Sequence, residues 1–214
     1  VNVLRSDITI WGAGDNQDGN GTGLHTRGES WEPRSDNKLF RGDGLLIQGN
    51  KTSPRQNITL RNFELHGASG ITGDFSWPAT QSNPDAFDLT HKGIHVKSSG
   101  GLENVLIENI WLHGYQGEIT HGPGYSGDFT RGLTFRNSLI EDSNGGSWNI
   151  QGVSDLLVEN NTFRNTQGWG EFFSWPGFSA TIRGNLWEDQ HVGNNGFSIH
   201  GNDLNKDQPI VIED

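Results

Sequence analysis

Residues 155–163 read Asp-Leu-Leu-Val-Glu-Asn-Asn-Thr-Phe. At 158–160 this stretch holds an apolar residue, a charged residue and an Asn. The same triplet, with Gly or Asp for Asn in two places, recurs at 60–62, 107–109, 135–137, 182–184 and 212–214. In chain order, the apolar residues of successive triplets are 47, 28, 23, 24 and 30 residues apart. A repeat of about 25 residues without helical periodicity predicts a solenoid of short β-strands, and the step of 47 predicts one coil with a long insertion.

The charged position of the triplet alternates in sign along the chain. Its members are Arg61, Glu108, Arg136, Glu159, Arg183 and Glu213. In a parallel solenoid they stack about 4.8 Å apart, and each opposite-charge pair contributes about 0.2–1 kcal/mol. The Asn position suits a bend, because Asn tolerates left-handed backbone angles and its amide can bond a neighbouring backbone group. The sequence therefore predicts an asparagine ladder at one corner.

Three strands can be placed in each coil, which predicts an all-β chain of about seven coils. The first strands have an expected inward column of Ile47, Val96, Ile119, Ile150, Trp175 and Ile199. The third strands have an expected inward column of Leu65, Leu112, Ile140, Phe163 and Trp187. Residues 12–43 and 68–92 are predicted to be long loops, and loops of this length in compact proteins are usually functional or disordered.

Composition narrows the function classes. The 214 residues form a single predicted domain, 1–214, and we expect the natural chain to continue beyond at least one end. The net charge of −11 argues against a nucleic-acid partner. No apolar run approaches the roughly 18 residues that a membrane span requires. There is no Cys, so no disulfide can form, and nothing in the sequence fixes the oligomeric state.

The chain resembles the right-handed, single-stranded parallel β-helix proteins of the pectate-lyase-like superfamily. The resemblance covers nearly the whole chain and is carried by residues 7–14, 57–63 and 155–163. Most members of that superfamily act on polysaccharides, as lyases, hydrolases or uronate epimerases, and others are adhesins or viral tailspikes. The resemblance implies a secreted or cell-surface protein whose partner is a polysaccharide. It does not extend to a reaction, because neither the paired aspartates of polygalacturonase-type hydrolases nor the aspartate–proline–histidine motif of alginate epimerases occurs, and Asp88-Leu89-Thr90-His91 only loosely resembles the latter.

In the related enzymes the outer face of the first strands carries the substrate groove. We expect His95, Lys97 and Glu118 to meet there on adjacent coils, about 5–8 Å apart. A lyase or epimerase needs a base for the proton beside a carboxylate and cations for the enolate-like charge that follows, and these residues supply both. The alternative is a solvated face with ordinary surface charges. The expected substrate-binding residues around the three are His91, Lys92, His121, Asn149 and Gln151.

Two other readings of the candidate site remain open. A hydrolase would need two carboxylates about 5–9.5 Å apart, for which Asp85, Asp88, Glu118 and Asp128 are available. A non-catalytic carbohydrate-binding, adhesin or tailspike-like segment would instead use aromatic faces, for which the candidates are Trp77 and Trp148. Both indoles could equally anchor loops.

Two further clusters have metal-binding character. Asp18, Asn20, Thr22 and Glu29 fill the oxygen positions of an EF-hand-type loop and predict a Ca²⁺ site, the alternative being a flexible Gly-rich loop. On the third strands, His66 and His113 fall in one outward column, followed by Glu141, Arg164 and Glu188. Stacked imidazoles can bind a metal, but the column is better interpreted as a polar ladder beside carboxylates.

Overall fold

The computed structural model describes residues 2–14, 17–25, 42–50, 52–67, 90–97, 101–115, 117–122, 130–142, 148–166, 170–174, 179–189, 198–201 and 210–214. These residues form strands and turns and no helix, which confirms the all-β prediction. No helix capable of crossing a bilayer occurs among them.

The strands assemble into two sheets whose pairings are parallel. Sheet A has the order β1 (Asn2–Val3), β4 (Gly42–Gln48), β6 (Thr90–Lys97), β8 (Gly117–Gly122), β11 (Trp148–Gln151), β15 (Gly170–Ser174) and β18 (Ser198–Gly201). Each strand is therefore followed in the sheet by one that comes later in the chain. Parallel neighbours need a crossover connection, and here the crossovers contain the strands of the second sheet.

Sheet B contains β2 (Ile8–Trp11), β3 (Gly23–His25), β5 (Arg55–His66), β7 (Leu102–His113), β9 (Thr130–Arg136), β10 (Leu139–Glu141), β12 (Val153–Ser154), β13 (Leu156–Glu159), β14 (Thr162–Arg164), β16 (Ala180–Arg183), β17 (Leu186–Glu188) and β19 (Ile210–Glu213). The long β5 and β7 pair along their whole length. The short β10 pairs with the last residues of β7. This arrangement is consistent with a β-solenoid. We use "row" for residues at one register position on successive strands.

Apolar rows from both sheets form one core. In sheet B, Leu60, Ile107, Phe135, Val158 and Ile182 lie in register and are 0–2% exposed. The predicted inward column of the third strands is confirmed from Leu65 to Phe163, with Trp187 packed against the core. Each fully buried side chain of this size contributes about 1.5–3 kcal/mol, so the stacked rows supply the main stabilising term.

The predicted bend is confirmed at the Asn position. Positive φ angles occur at Asn62 (60°), Asn109 (51°), Asn137 (52°), Asn160 (54°) and Gly184 (58°). The Asn109 amide donates to Asn62 Oδ1 at 2.9 Å, so the first rungs of the ladder bond directly. All positive-φ residues other than glycine in the described part of the chain are Asn or Asp, as expected for the residue types that tolerate left-handed angles.

A second, buried ladder lies one residue further on, at Ser138, Asn161 and Asn185. Ser138 Oγ accepts from Ile110 N at 3.1 Å, Asn161 Oδ1 from Ser138 N at 3.0 Å, and Asn185 Oδ1 from Asn161 N at 3.0 Å. Each side chain therefore satisfies the corner N–H group of the preceding strand. At the same corner the earlier strands β5 and β7 carry the buried apolar residues Phe63 and Ile110. The polar ladder is therefore confined to the later strands.

The alternating charge row is also confirmed. Its six members pair in register from Arg61 to Glu213. Arg136 Nη2 lies 2.7 Å from Glu108 Oε2, and Arg183 Nη2 lies 2.7 Å from Glu159 Oε2. The hydrogen bond to Glu108 raises the pKa of Arg136 above its ordinary value. At the first strand of the sheet, Trp11 continues the row, and the Arg61 guanidinium lies 4.9 Å from the centre of its ring.

Glu159→Lys is expected to destabilise the protein by about 2 kcal/mol, because the substitution removes a two-point hydrogen bond from Arg183 and places three cations in sequence. The Glu159 side chain is only 11% exposed, so solvent cannot fully screen the repulsion. Urea unfolding at low and high salt is the measurement, and part of the loss should disappear at high salt. Glu213→Lys, at the exposed end of the row, is the control. Equal losses for the two variants would contradict stacking around Glu159.

Two predictions about the fold need correction. Residues 12–43 were expected to form one loop, but β3 lies within them and pairs with β5. In sheet A the predicted inward column is confirmed at Ile47, Val96, Ile150 and Ile199, which share one row, and is wrong between them at Ile119 and Trp175. Val96 lies opposite His121, while Ile119 lies opposite Ile94. Phe172, instead of Trp175, stands in the row of Ile150, and Trp175 is outside the described residues.

Candidate functional site

The outer face of sheet A carries two of the three predicted catalytic residues, His95 and Lys97. His95 and Lys97 lie two positions apart on β6, so alternation places them on the same face. His95 is partly exposed and Lys97 is exposed, whereas the intervening Val96 is fully buried. Reagents in solution can therefore reach both candidate groups from one side of the sheet.

Glu118 is displaced along the strand from the predicted position. His95 lies opposite Thr120, so Glu118 stands two residues before the partner of His95. With strands about 4.8 Å apart and about 3.3 Å per residue, this offset makes the Cα separation about 8 Å. His95 and Lys97 thus form the close pair, with Glu118 diagonal to His95.

The row of His95 is polar over most of its length. Its members, in strand order, are Asn2, Leu46, His95, Thr120, Asn149, Glu171 and Ser198. The row of Lys97 contains Gln48 and Gly122. Of the predicted substrate-binding residues, Asn149 therefore shares the row of His95.

The remaining predicted binding residues occupy other positions. Lys92 pairs with Asp43 and Gly117, and His91 falls where the register shifts between Gly42 and Asp43. His121 stands in the row of the buried Val96 and Ile150, and Trp148 pairs with Ile119 in the row of the buried Ile94. Gln151 pairs with Phe173. Trp77, Asp85, Asp88 and Asp128 lie outside the described residues.

The predicted calcium loop is only partly described, because Glu29 lies outside the described residues. Asp18 Oδ1 accepts from Asn20 N at 2.9 Å, and this bond lowers the pKa of Asp18. Thr22 Oγ1 accepts from Ala13 N at 2.8 Å. An EF-hand loop needs a sharp turn at its sixth position, where Gly23 here begins strand β3. Calcium binding by Asp18, Asn20, Thr22 and Glu29 stays a prediction.

A second group of titratable residues lies on the outer face of sheet B. His66 and His113 pair in register, as predicted, and their rings stack with centroids 4.2 Å apart. His113 Nε2 lies 2.9 Å from Glu64 Oε1, and the Trp111 ring stacks on His113 at 4.2 Å. Glu64 was missed in the sequence, although its spacing of two residues from His66 places both on one face of a strand.

This cluster is unusually buried for outer-face residues. Glu64 is 4% exposed and His113 is 9% exposed, although the inward row beside them is that of Leu65 and Leu112. A buried carboxylate is costly unless it is paired and hydrogen-bonded, and His113 provides such a partner.

The same row becomes an ion-pair ladder further along the chain. Arg164 bonds Glu141 through Nε at 2.9 Å, and its Nη1 lies 3.8 Å from Glu188 Oε1. The hydrogen bond to Glu141 raises the pKa of Arg164. Trp111 Nε1 donates to Glu141 Oε1 at 2.7 Å, which links the ladder to the histidine cluster. The predicted polar ladder is therefore present at Glu141, Arg164 and Glu188, and the imidazole cluster adjoins it.

Comparison with known proteins gives no match: no family model, no curated protein and no solved structure aligns significantly with this chain.

Proposed function

We propose that the chain is a right-handed parallel β-helix of the pectate-lyase-like type that acts on an extracellular polysaccharide as a lyase or uronate epimerase. The parallel, in-register strands of both sheets support the architecture. Crossovers between parallel strands of one sheet are right-handed in about 98% of cases, which supports the hand. A polymer substrate outside the cell implies a secreted or surface-bound protein.

The adjacent His95 and Lys97 on an accessible strand face carry the proposal for the reaction. In this scheme one of the two removes the proton beside the uronate carboxylate, and the other, as a cation, stabilises the enolate-like charge. Elimination of the neighbouring glycosidic oxygen then gives an unsaturated sugar end. Return of a proton to the opposite face, without elimination, gives the epimer instead.

Parallel strands also suit a polymer. Polar residue types recur at one register position about every 4.8 Å across the sheet, where Thr120, Asn149, Glu171 and Ser198 follow His95 on successive strands. A long substrate lying across the strands would meet a polar group at each step. This repetition supports binding of several sugar units on either side of the reacting one.

The alternative is a carbohydrate-binding segment without turnover, and Trp11 favours it. This indole is 67% exposed at the end of the charge row. Exposed aromatic rings are suitable stacking surfaces for sugars, although Arg61 lies against this one. The alternative predicts binding that is lost in Trp11→Ala, with no change in the polymer.

The deciding experiment incubates the protein with a panel of neutral and uronic polysaccharides. Ultraviolet absorbance detects unsaturated products, proton exchange in D₂O detects epimerisation, and a reducing-end assay detects hydrolysis. His95→Ala and Lys97→Ala are each expected to lower turnover by at least about 100-fold with little change in stability. Thr181→Ala, on the outer face of sheet B, is the control.

Full activity of both variants on an identified substrate would show that catalysis takes place elsewhere, with Asp85, Asp88 and His91 the next candidates. Reducing ends without unsaturated products would favour a hydrolase that uses carboxylates. Binding without any product would favour the non-catalytic alternative.

A further inference from the structure

We propose that Glu64, His66 and His113 form a binding site for a divalent first-row transition-metal ion, of which Zn²⁺ is the test case. Each residue offers one ligand atom, and these atoms all lie within 4.8 Å of one another. The site is on sheet B, so it is separate from the sheet A face proposed for polysaccharide.

The pair of Glu64 and His113 already has a spacing that suits chelation. Zinc bonds to nitrogen and oxygen are about 2.0–2.2 Å long, so two ligands of one ion lie about 3–3.5 Å apart. Glu64 Oε1 and His113 Nε2 are 2.9 Å apart. The two side chains need to move apart only slightly for an ion to replace the hydrogen bond between them.

Burial preorganises this pair. Glu64 and His113 are 4% and 9% exposed, and the His113 ring is stacked against both Trp111 and His66. Fixed ligands lose little conformational freedom when an ion binds. A bound divalent cation would also compensate the charge of the buried carboxylate.

His66 would complete the site by rotation of its ring. In the stack the two imidazole planes are 14° apart, so an ion in the plane of one ring lies outside the plane of the other. His66 is the more exposed of the two residues, so its ring has room to rotate about the Cβ–Cγ bond. Binding should therefore open the stack while His113 stays in place.

The donors of the site are two imidazoles and one carboxylate. Imidazoles with one carboxylate suit Zn²⁺, Ni²⁺ and Cu²⁺, whereas Ca²⁺ and Mg²⁺ prefer oxygen ligands throughout. The ion class follows from this donor set, and calcium should not compete.

The test is isothermal titration calorimetry of the whole chain with Zn²⁺ after removal of metals with a chelator. One tight ion per chain is expected, unaffected by excess Ca²⁺. His66→Gln and Glu64→Gln should each weaken Zn²⁺ binding by more than about tenfold. Loss of a residue that only orients a metal ligand already costs at least about tenfold, and these two residues would be ligands themselves. His95→Gln is the matched control and should bind as the parent does. Because His66 is partly exposed, its variant should fold even where Glu64→Gln does not.

Nuclear magnetic resonance of the imidazole groups supplies a second readout. Added Zn²⁺ should shift the ring signals of His66 and His113 together and leave that of His95 unchanged. No tight ion, equal affinity in His66→Gln and the parent, or an equal loss in His95→Gln would each overturn the site. None of these outcomes bears on polysaccharide turnover, which is tested by the variants on sheet A.

Discussion

Val158→Asp is expected to lower the free energy of unfolding by at least about 3 kcal/mol. Val158 is 0% exposed and lies in register with Phe135 and Ile182, both in the core. An Asp side chain there would meet apolar neighbours on either side along its row. It would have to ionise without a partner or fold in its neutral form, and both are costly.

Urea unfolding of Val158→Asp should be compared with Leu157→Asp. Leu157 is the preceding residue on the same strand, but it is partly exposed and pairs with Thr134 and Thr181. Its replacement should cost no more than about 1 kcal/mol, the span of strand propensity. Comparable losses for the two variants would contradict the assignment of faces on β13.

Asn161→Leu is expected to cost about 3 kcal/mol, although Leu is similar in size and more apolar. The Asn161 amide, 1% exposed, accepts from Ser138 N at 3.0 Å and donates to Phe135 O at 3.1 Å and to Asn185 Oδ1 at 2.9 Å. Leu would leave these groups without a partner in the interior, and each unsatisfied buried group costs about 1–3 kcal/mol.

The matched control for Asn161→Leu is Asn185→Leu, one rung along the same ladder. Asn185 is only partly buried, so water can replace some of its bonds to Val158 O and Arg183 O. Thermal unfolding should show a clearly smaller loss for Asn185→Leu. A stabilising or neutral Asn161→Leu would mean that apolar packing outweighs the ladder at this corner, whose equivalent positions in β5 and β7 are the apolar Phe63 and Ile110.

Rows set by charge were the easiest to predict from the sequence. Arg61, Glu108 and Arg136 alternate in sign, and a shift of one residue would bring them onto the inner face. The Asn that follows each of them excludes a shift of two residues, so the register was well determined. The second, buried ladder one residue further on was not predicted. The doubled Asn160-Asn161 marks both positions, since the first takes the left-handed bend and the second faces the core.

Sheet A shows why part of the register could not be predicted. Side chains alternate with a period of two, so a slip of two residues keeps each apolar residue on its face. Alternation alone therefore allows either Ile119 or His121 as the partner of Val96. Ile119 is the predicted partner, and His121 is the observed one. In β15 the adjacent Phe172 and Phe173 make both faces apolar, so the pattern there does not distinguish them.

The same uncertainty in register limited how well the candidate site residues could be placed from the sequence. His95 and Lys97 were placed on one face because they share a strand, whereas Glu118 depended on the uncertain register between strands. Glu64 reaches His113 diagonally across two strands, and this contact depends on side-chain conformation more than on any spacing along the chain. Sequence reasoning therefore found the two imidazoles and missed the carboxylate that bonds one of them.

The in-register rows also determine how damage and binding are transmitted through the molecule. Each strand contacts only the strands on either side of it in the sheet, so the free energy of unfolding is close to a sum of local terms, and a disturbance decays within a strand or two. Ile210 is partly exposed and Ile212 is exposed on the terminal strand β19, whereas Ile107 and Phe135, on β7 and β9, are deeply buried. Amide exchange should therefore be graded from strand to strand, and an ion held at His113 would protect β5 and β7 far more than β19.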